Sequence, residues 1–227
     1  MLQQTQVDRV IPYYKAFLKK FPTTQKLANT SLHEVLKTWQ GLGYNRRAKM
    51  LWLAAREVKN KLPTTVEELE ALPGIGPYTA RAVAAFAHNQ DVAFVETNIR
   101  TAIMHHFFPR KKKVSDVEIL KVIEAVLPSG KSREWYAALM DYGAYLKRSG
   151  IKVNSKSAQY AKQSKFAGSN REVRGVILKA LAAGECTQIK LLNLLGPSRR
   201  AQTRGALTAL LTEGLIEKCG TRFRLPH

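Results

Sequence analysis

The chain of 227 residues is long enough for one large domain or two small ones with a sizeable core, and its 45% hydrophobic content is ordinary for a globular protein. It holds no run of about 18 apolar residues to cross a bilayer and no visible secretory signal. Its two cysteines, Cys186 and Cys219, make neither a disulfide framework nor a four-thiolate metal site. They read as small buried residues of a reduced compartment, cytoplasmic (nucleoid-associated) or nuclear. The 37 Lys and Arg against 17 Asp and Glu leave a net charge of +20, so the surface attracts polyanions through contacts that weaken with salt. The excess is uneven, +8 over residues 1–146 and +12 over 147–227.

In chain order, Met1-Leu-Gln-Gln-Thr-Gln6 leads into Val7, Val10, Ile11, Tyr14, Phe17, Leu18 and Phe21, which recur at a helical period and predict a helix stopped by Pro22. Ser31 with Glu34 three residues on is a capping-box pattern, heading a helix whose apolar face is Leu32, Val35, Leu36 and Trp39. The turn Gly41-Leu-Gly-Tyr-Asn45 precedes a helix from Arg46 to Asn60, with Met50, Leu51, Leu53, Ala54 and Val58 expected inward.

The stretch Leu72 to Ala87, read with Glu96, is the centre of the chain. Val66, Leu69 and Leu72 lie at helical spacing, Pro73-Gly-Ile-Gly76 is a tight turn, and Pro77 suits the first turn of the Ala-rich helix that follows. Helix, Gly-x-Gly hairpin and helix leave free N–H groups at the second helix's start, with no side chain on either glycine, which makes a seat for phosphate. Gly-x-Gly alone equally makes an ordinary interhelical turn.

Beyond the hairpin, Val92–Val95 reads as a short buried run, and Glu96-Thr-Asn98 precedes a helix over Ile99 to Phe108 that Thr97 or Asn98 would cap. Arg110-Lys-Lys-Lys113 reads as a solvated loop, and Asp116 to Val126 and Glu134 to Tyr145 as two more helices. With no internal repeat and little strand pattern before residue 147, this part is all-α. Residues 147–169 hold six basic residues and no acidic one, the pattern of an extended basic arm or linker. Residues 170–227 read as three helices, Arg171–Ala183, Gln188–Leu195 and Arg200–Glu213. Two alternating runs around Gly220 then close them as a β-hairpin, the outline of a small winged-helix α+β domain.

Five stretches, Met1-Leu-Gln-Gln-Thr-Gln-Val7, Trp39-Gln-Gly-Leu-Gly-Tyr44, Leu72-Pro-Gly-Ile-Gly-Pro-Tyr-Thr79, Val95-Glu-Thr-Asn-Ile-Arg100 and Leu139-Met-Asp-Tyr-Gly-Ala144, occur in one order. On these, residues 1–146 resemble the core of the helix-hairpin-helix DNA glycosylases, most closely the MutY-type adenine glycosylases. The resemblance implies an enzyme that flips a base out of duplex DNA and cleaves its N-glycosidic bond. It places Glu96 at the catalytic carboxylate, where Asp is usual; a helix cap is the other use of a Glu beside Asn98. Asn98 would orient that carboxylate. Tyr78 stands where bifunctional relatives carry a Schiff-base lysine, which implies a monofunctional enzyme. Its hydroxyl would reach Glu96, or its ring would simply pack. Gln4 and Tyr44 match residues that enter the duplex, although either residue type also serves a surface or a core. Leu72, Gly74, Ile75, Gly76, Thr79 and Arg46 complete the expected DNA contacts.

Three departures from the family bear on function. Relatives carry an N-terminal segment with a Glu two places ahead of the first Met, the acid that protonates the departing adenine, so the chain as given is expected to excise slowly. Relatives also follow Met-Asp-x-Gly-Ala with four cysteines on an iron–sulfur cluster. Tyr145–Asn170 has no cysteine, so no cofactor is expected and the basic arm would meet DNA instead. The tail resembles a winged helix rather than a reader of 8-oxoguanine. The expectation is a monomeric adenine glycosylase acting on A:G or A:8-oxoguanine mispairs in double-stranded DNA, with no membrane association. Two alternatives remain: a thymine or uracil mismatch glycosylase, and a non-catalytic DNA-binding protein on the same scaffold.

Overall fold

A computed structural model describes residues 1–2, 5–58, 61–158 and 165–226. The chain forms two compact units, and the first is discontinuous: Met1–Leu62 with Ser164–His227, against Pro63–Gln163 for the second. The linear division expected from sequence, at 146 and 169, therefore falls elsewhere in the structure. Helix α9 carries on to Arg148, and Val114 pairs with Ser157 in an isolated parallel bridge, so the start of the basic arm lies in the second unit. Residues 159–164 of the arm lie outside the described residues.

In the first unit, α1 (Val7–Lys20), α2 (Thr24–Ala28), α3 (Leu32–Trp39) and α4 (Arg46–Glu57) come from the N-terminal part. The α3 face is buried as its spacing predicts. Ser31 accepts the Glu34 N–H as a cap, but the Glu34 carboxylate pairs with Lys20 rather than completing the box. The α1 face is narrower than its period suggests. Val10, Phe17 and Phe21 are buried, whereas Val7, Ile11, Tyr14 and Leu18 stand exposed on the opposite side of the stripe. Likewise α4 buries the small Ala48, Ala54 and Ala55, leaving Leu51 exposed, because alanines let the neighbouring helix approach closely.

The rest of the first unit is α10 (Asn170–Ala183), β1 (Cys186–Thr187), α11 (Gln188–Asn193), α12 (Arg200–Thr212), β2 (Glu217–Cys219) and β3 (Arg222–Arg224). The strands form an antiparallel sheet in the order β1-β3-β2, with Cys186 opposite Phe223 and Glu217 opposite Arg224. Gly220 takes φ +57 at the hairpin turn. Cys186 is buried, but Cys219 is exposed, contrary to expectation, because it stands at the tip of the two-stranded wing. This winged-helix-like part shares one core with the N-terminal helices: Phe17, Leu36 and Trp39 belong to the same buried cluster as Ile177, Leu181, Leu210 and Phe223. Lys49 adds a polar tie, donating to the carbonyls of Glu213 and Gly214 at 2.6 and 3.3 Å.

The second unit contains α5 (Val66–Glu70), α6 (Pro77–His88), α7 (Thr97–Phe107), α8 (Asp116–Val126) and α9 (Ser132–Arg148). Full capping boxes start α5 (Thr65 with Glu68) and α8 (Ser115 with Glu118). Its larger core gathers Phe94, Ile99, Ile103, Met104, Ile119, Ile123 and Tyr136, and a smaller one, Leu69, Ala80 and Ala84, lies beneath the hairpin. Among the described residues, no helix is long and apolar enough to cross a membrane.

Candidate active site

The hairpin between α5 and α6 takes the shape its residues dictate. Gly74 adopts φ +76, open to glycine at no steric cost, and the Ile75 N–H donates to the Leu72 carbonyl at 3.1 Å to close the turn. Gly76 differs from expectation: it is extended at φ −94 and serves as the cap residue of α6, with Pro77 next to it at the helix start. Among the described residues, a Cβ built on Gly76 would meet nothing within 4 Å. Ile75 packs against the Leu69–Ala80–Ala84 core, which leaves the turn's backbone rather than that side chain as its outward face. Thr79 lies in the first turn of α6 and is half-buried.

From α6 the chain passes through an irregular segment that is tied down before it reaches Glu96. Asn89 turns the helix end in the left-handed region at φ +54 and bonds the Gly130 carbonyl and the Arg133 N–H at 2.7 and 2.9 Å. The Asp91 carboxylate accepts from the Gly130 N–H and the Ser132 hydroxyl, hydrogen bonds that hold it below the usual carboxylate range. The buried Tyr136 hydroxyl donates to the Val92 carbonyl at 2.9 Å and accepts the Phe94 N–H at 3.4 Å. Burial of the phenol pushes its pKa up to about 12. Side chains of α9 and the loop before it thus set the path into the site.

Glu96 is the cap residue of α7. Its Oε2 accepts the Asn98 N–H at 2.5 Å, and the positive end of the helix dipole favours the carboxylate there. Oε1 has no hydrogen-bond partner among the described residues. The half-buried carboxylate is therefore anchored by one oxygen, with no hydrogen bond at the other among the described residues. The Asn98 main chain does the anchoring; its side-chain Oδ1 is taken by Lys147 Nζ at 2.6 Å. Burial lowers the Lys147 pKa, the Glu96 charge opposes that shift, and Arg100 adds to it. Arg100 itself is held in a two-pronged pair with Asp116 at 2.9 and 2.8 Å.

Helix α9 meets the head of α7 at Gly143, where an added Cβ would lie 2.0 Å from the Asn98 carbonyl oxygen. Only a glycine lets the two backbones come this close. Lys147, one turn further along the same face, then reaches the Asn98 amide. In sequence Lys147 belongs to the basic arm, and its i, i+4 relation to Gly143 is the signal that places it at the site.

Tyr78 is 43% exposed and packs edge-to-face on Phe94, with ring centres 6.0 Å apart. It makes no hydrogen bond to Glu96. Burial first, and the Glu96 charge second, raise its pKa, so the phenol stays protonated at neutral pH. Tyr78, Glu96 and Asn98 thus lie in the second unit with the hairpin residues Leu72, Gly74, Ile75, Gly76 and Thr79. Tyr44 and Arg46 lie in the first unit, at the head of α4, where Tyr44 takes φ +46 and Arg46 is exposed. Gln4 lies outside the described residues.

The residues following Gly143-Ala144 do not fit an iron–sulfur cluster. Tyr145–Asn170 carries no cysteine, and both cysteines of the chain belong to the three-stranded sheet of the other unit. Among the described residues no group of three or more His, Cys, Asp or Glu gathers to hold a metal ion.

Residues 1–126 match the HhH-GPD superfamily of base excision DNA repair proteins. The chain is 35% identical to an adenine DNA glycosylase of Mycolicibacterium smegmatis, across 99% of this chain and 84% of that protein. It is 32% identical to the adenine DNA glycosylase of Mycobacterium tuberculosis, across 100% and 83%. To the human adenine DNA glycosylase it is 47% identical over 44% of this chain and 19% of that protein. Among solved structures, a thermostable thymine-DNA glycosylase superposes with a TM-score of 0.58 at 25% identity, over 70% of this chain and 79% of that one. Endonuclease III trapped covalently on DNA shares the fold, with a TM-score of 0.52 at 20% identity over 71% and 73%.

Proposed function

The chain belongs to the HhH-GPD superfamily of base excision DNA repair proteins, and from that premise we propose that it is a monofunctional adenine DNA glycosylase acting on adenine mispaired with guanine or 8-oxoguanine. The observation that carries the reading is Glu96, fixed at the head of α7 by one carboxylate oxygen while the other makes no hydrogen bond among the described residues. Breaking the N-glycosidic bond leaves positive charge on the sugar C1′. A carboxylate positioned in advance, in a half-buried setting, stabilises that cation, or bonds C1′ transiently, more than it stabilises the neutral substrate. Water then adds to C1′ and gives up a proton, while adenine departs carrying one. Tyr78, a phenol without an amine, forms no imine with the sugar, in keeping with base release and no strand scission.

The backbone of Gly74–Gly76 and the first turn of α6 receive a DNA phosphate in this reading, while Tyr44, Gln4 and Arg46 contact the duplex around the extruded base. The enzyme works as a monomer, without an iron–sulfur cluster, on chromosomal DNA of the cytoplasm or nucleus. The names of the mycobacterial relatives that match across the chain favour adenine over thymine or uracil as the leaving base. The test is base release from matched duplexes carrying A·G, A·8-oxoguanine, T·G or U·G. Release of adenine alone supports the assignment. Release of thymine or uracil instead would move it to a pyrimidine glycosylase, and tight binding with no release would leave a DNA-binding protein.

A further inference from the structure

In the first unit, aromatic rings and guanidinium groups alternate in a chain of cation–aromatic contacts. The Arg47 guanidinium lies 5.6 Å from the Trp39 ring and 5.3 Å from the Tyr44 ring, and that of Arg171 lies 5.7 Å from Tyr44 and 6.0 Å from Phe166. Arg171 also donates from Nη1 to the Tyr44 hydroxyl at 3.1 Å. The inner end is buried, with Trp39 at 2% exposure, and the outer end is open, with Phe166 at 61%. Phe166 stands on an ordered turn, because its carbonyl accepts both the Ser169 N–H at 3.1 Å and the Ser169 hydroxyl at 2.6 Å at the head of α10.

An exposed phenylalanine normally costs solvation without return. This one lies 6.0 Å from the Arg171 guanidinium and follows Lys165 in the chain, with the Glu172 carboxylate occupied by the Gly168 N–H and Arg199. A flat exposed ring beside a guanidinium suits a flat, electron-rich partner attached to phosphate, namely a nucleobase. We propose that Phe166 is the outer rung of a stacking ladder onto which an unstacked base of lesion-containing duplex DNA is laid, so that the C-terminal half of the chain helps to read the disrupted site. The inference rests on the duplex-DNA reading above. It assigns to Arg171 the task of joining Phe166 to Tyr44 as one surface, which needs its planar fork rather than its charge alone.

The test titrates three labelled duplexes of one sequence, fully paired, A·G-mispaired, and with a tetrahydrofuran abasic analogue, against wild type, Phe166→Ala, Phe166→Trp and Arg171→Lys. Phe166→Ala is expected to weaken binding to the mispaired and abasic duplexes about tenfold. Its binding to the paired duplex and the slope of log affinity against log salt should stay unchanged. Phe166→Trp should restore binding, and Arg171→Lys should behave like Phe166→Ala although the charge is kept. Equal affinities for wild type and Phe166→Ala would overturn the inference and leave the ladder a packing feature. A loss shared by the paired duplex and accompanied by a shallower salt slope would overturn it too, in favour of phosphate contact. If the wild-type chain bound none of the duplexes, the parent reading would fall first.

Discussion

Lys147 donates a hydrogen bond from Nζ to Asn98 Oδ1 at 2.6 Å, and an ammonium group, having only donors, decides which end of that amide faces it. The Asn98 NH2 is thereby turned away from α9. The main chain of the same residue holds Glu96. One asparagine therefore links the proposed catalytic carboxylate to a lysine from another helix.

Lys147→Met keeps the length of the side chain and removes the donor. Because misplacing a catalytic group by about 1 Å costs on the order of 10²-fold in rate, single-turnover excision should fall steeply while duplex affinity is maintained. Lys147→Arg should recover part of the rate. Lys147→Glu, which accepts rather than donates, should invert the amide and do worst. Parallel losses of rate and affinity in all three would show that Lys147 contacts DNA instead.

Two glycines separate packing from DNA contact. Gly143→Ala forces a methyl group against the Asn98 carbonyl, so thermal or chemical unfolding should show a loss of about 1–3 kcal/mol, with excision impaired as well. Gly76→Ala meets no atom of the described residues within 4 Å and suits its extended backbone, so stability should hold while affinity for every duplex falls alike. Unchanged binding by Gly76→Ala would remove the hairpin from the DNA contacts.

Tyr136 gives the second unit an alkaline limit. Its folded pKa of about 12 lies above the ordinary value of 10.0, so the folded state keeps a proton that the unfolded state has lost. The stability it contributes is complete below about pH 10 and declines as pH rises toward about 12. Tyr136→Phe should cost about 1 kcal/mol at neutral pH through the lost hydrogen bond to Val92. The gap between variant and wild type in denaturant midpoint should narrow over that alkaline range; a constant gap would contradict the assignment.

Much of the site was legible because it depends on local chemistry. Pro73-Gly-Ile-Gly-Pro77 can hardly be anything other than a turn into a helix, and Gly74 does take the left-handed backbone its position needs. The Asp116–Val126 helix and the hairpin about Gly220 were equally visible, since capping and turn residues act within a few positions. Strand β1 was missed because two residues carry no alternation; only pairing of Cys186 with Phe223 makes it a strand. The exposed Val7–Ile11–Tyr14–Leu18 stripe shows that a period reveals a helix but not how wide a face its neighbours cover. The discontinuous first unit was not legible at all. Nothing local to Leu36 or Ile177 says that they share a core.

From that shared core, the C-terminal part is expected to depend on the N-terminal one. Residues 170–227 expressed alone would bare the faces of Ile177, Leu181 and Leu210 that belong to a cluster with Leu36 and Trp39. The fragment should melt without a cooperative transition, and adding residues 1–62 in trans should restore one. A two-state melt of the isolated fragment would show it to be an autonomous domain.

Glu96, capped onto Asn98, is proposed as the group that meets the sugar cation. Single-turnover release of adenine from an A·G duplex, measured beside duplex affinity for wild type and Glu96→Gln, tests it most directly. The amide keeps the shape of the side chain but not its charge. Wild type should release adenine, however slowly, and Glu96→Gln should do so on the order of 10²–10³-fold more slowly with affinity unchanged. Equal rates of adenine release from the two proteins would contradict it.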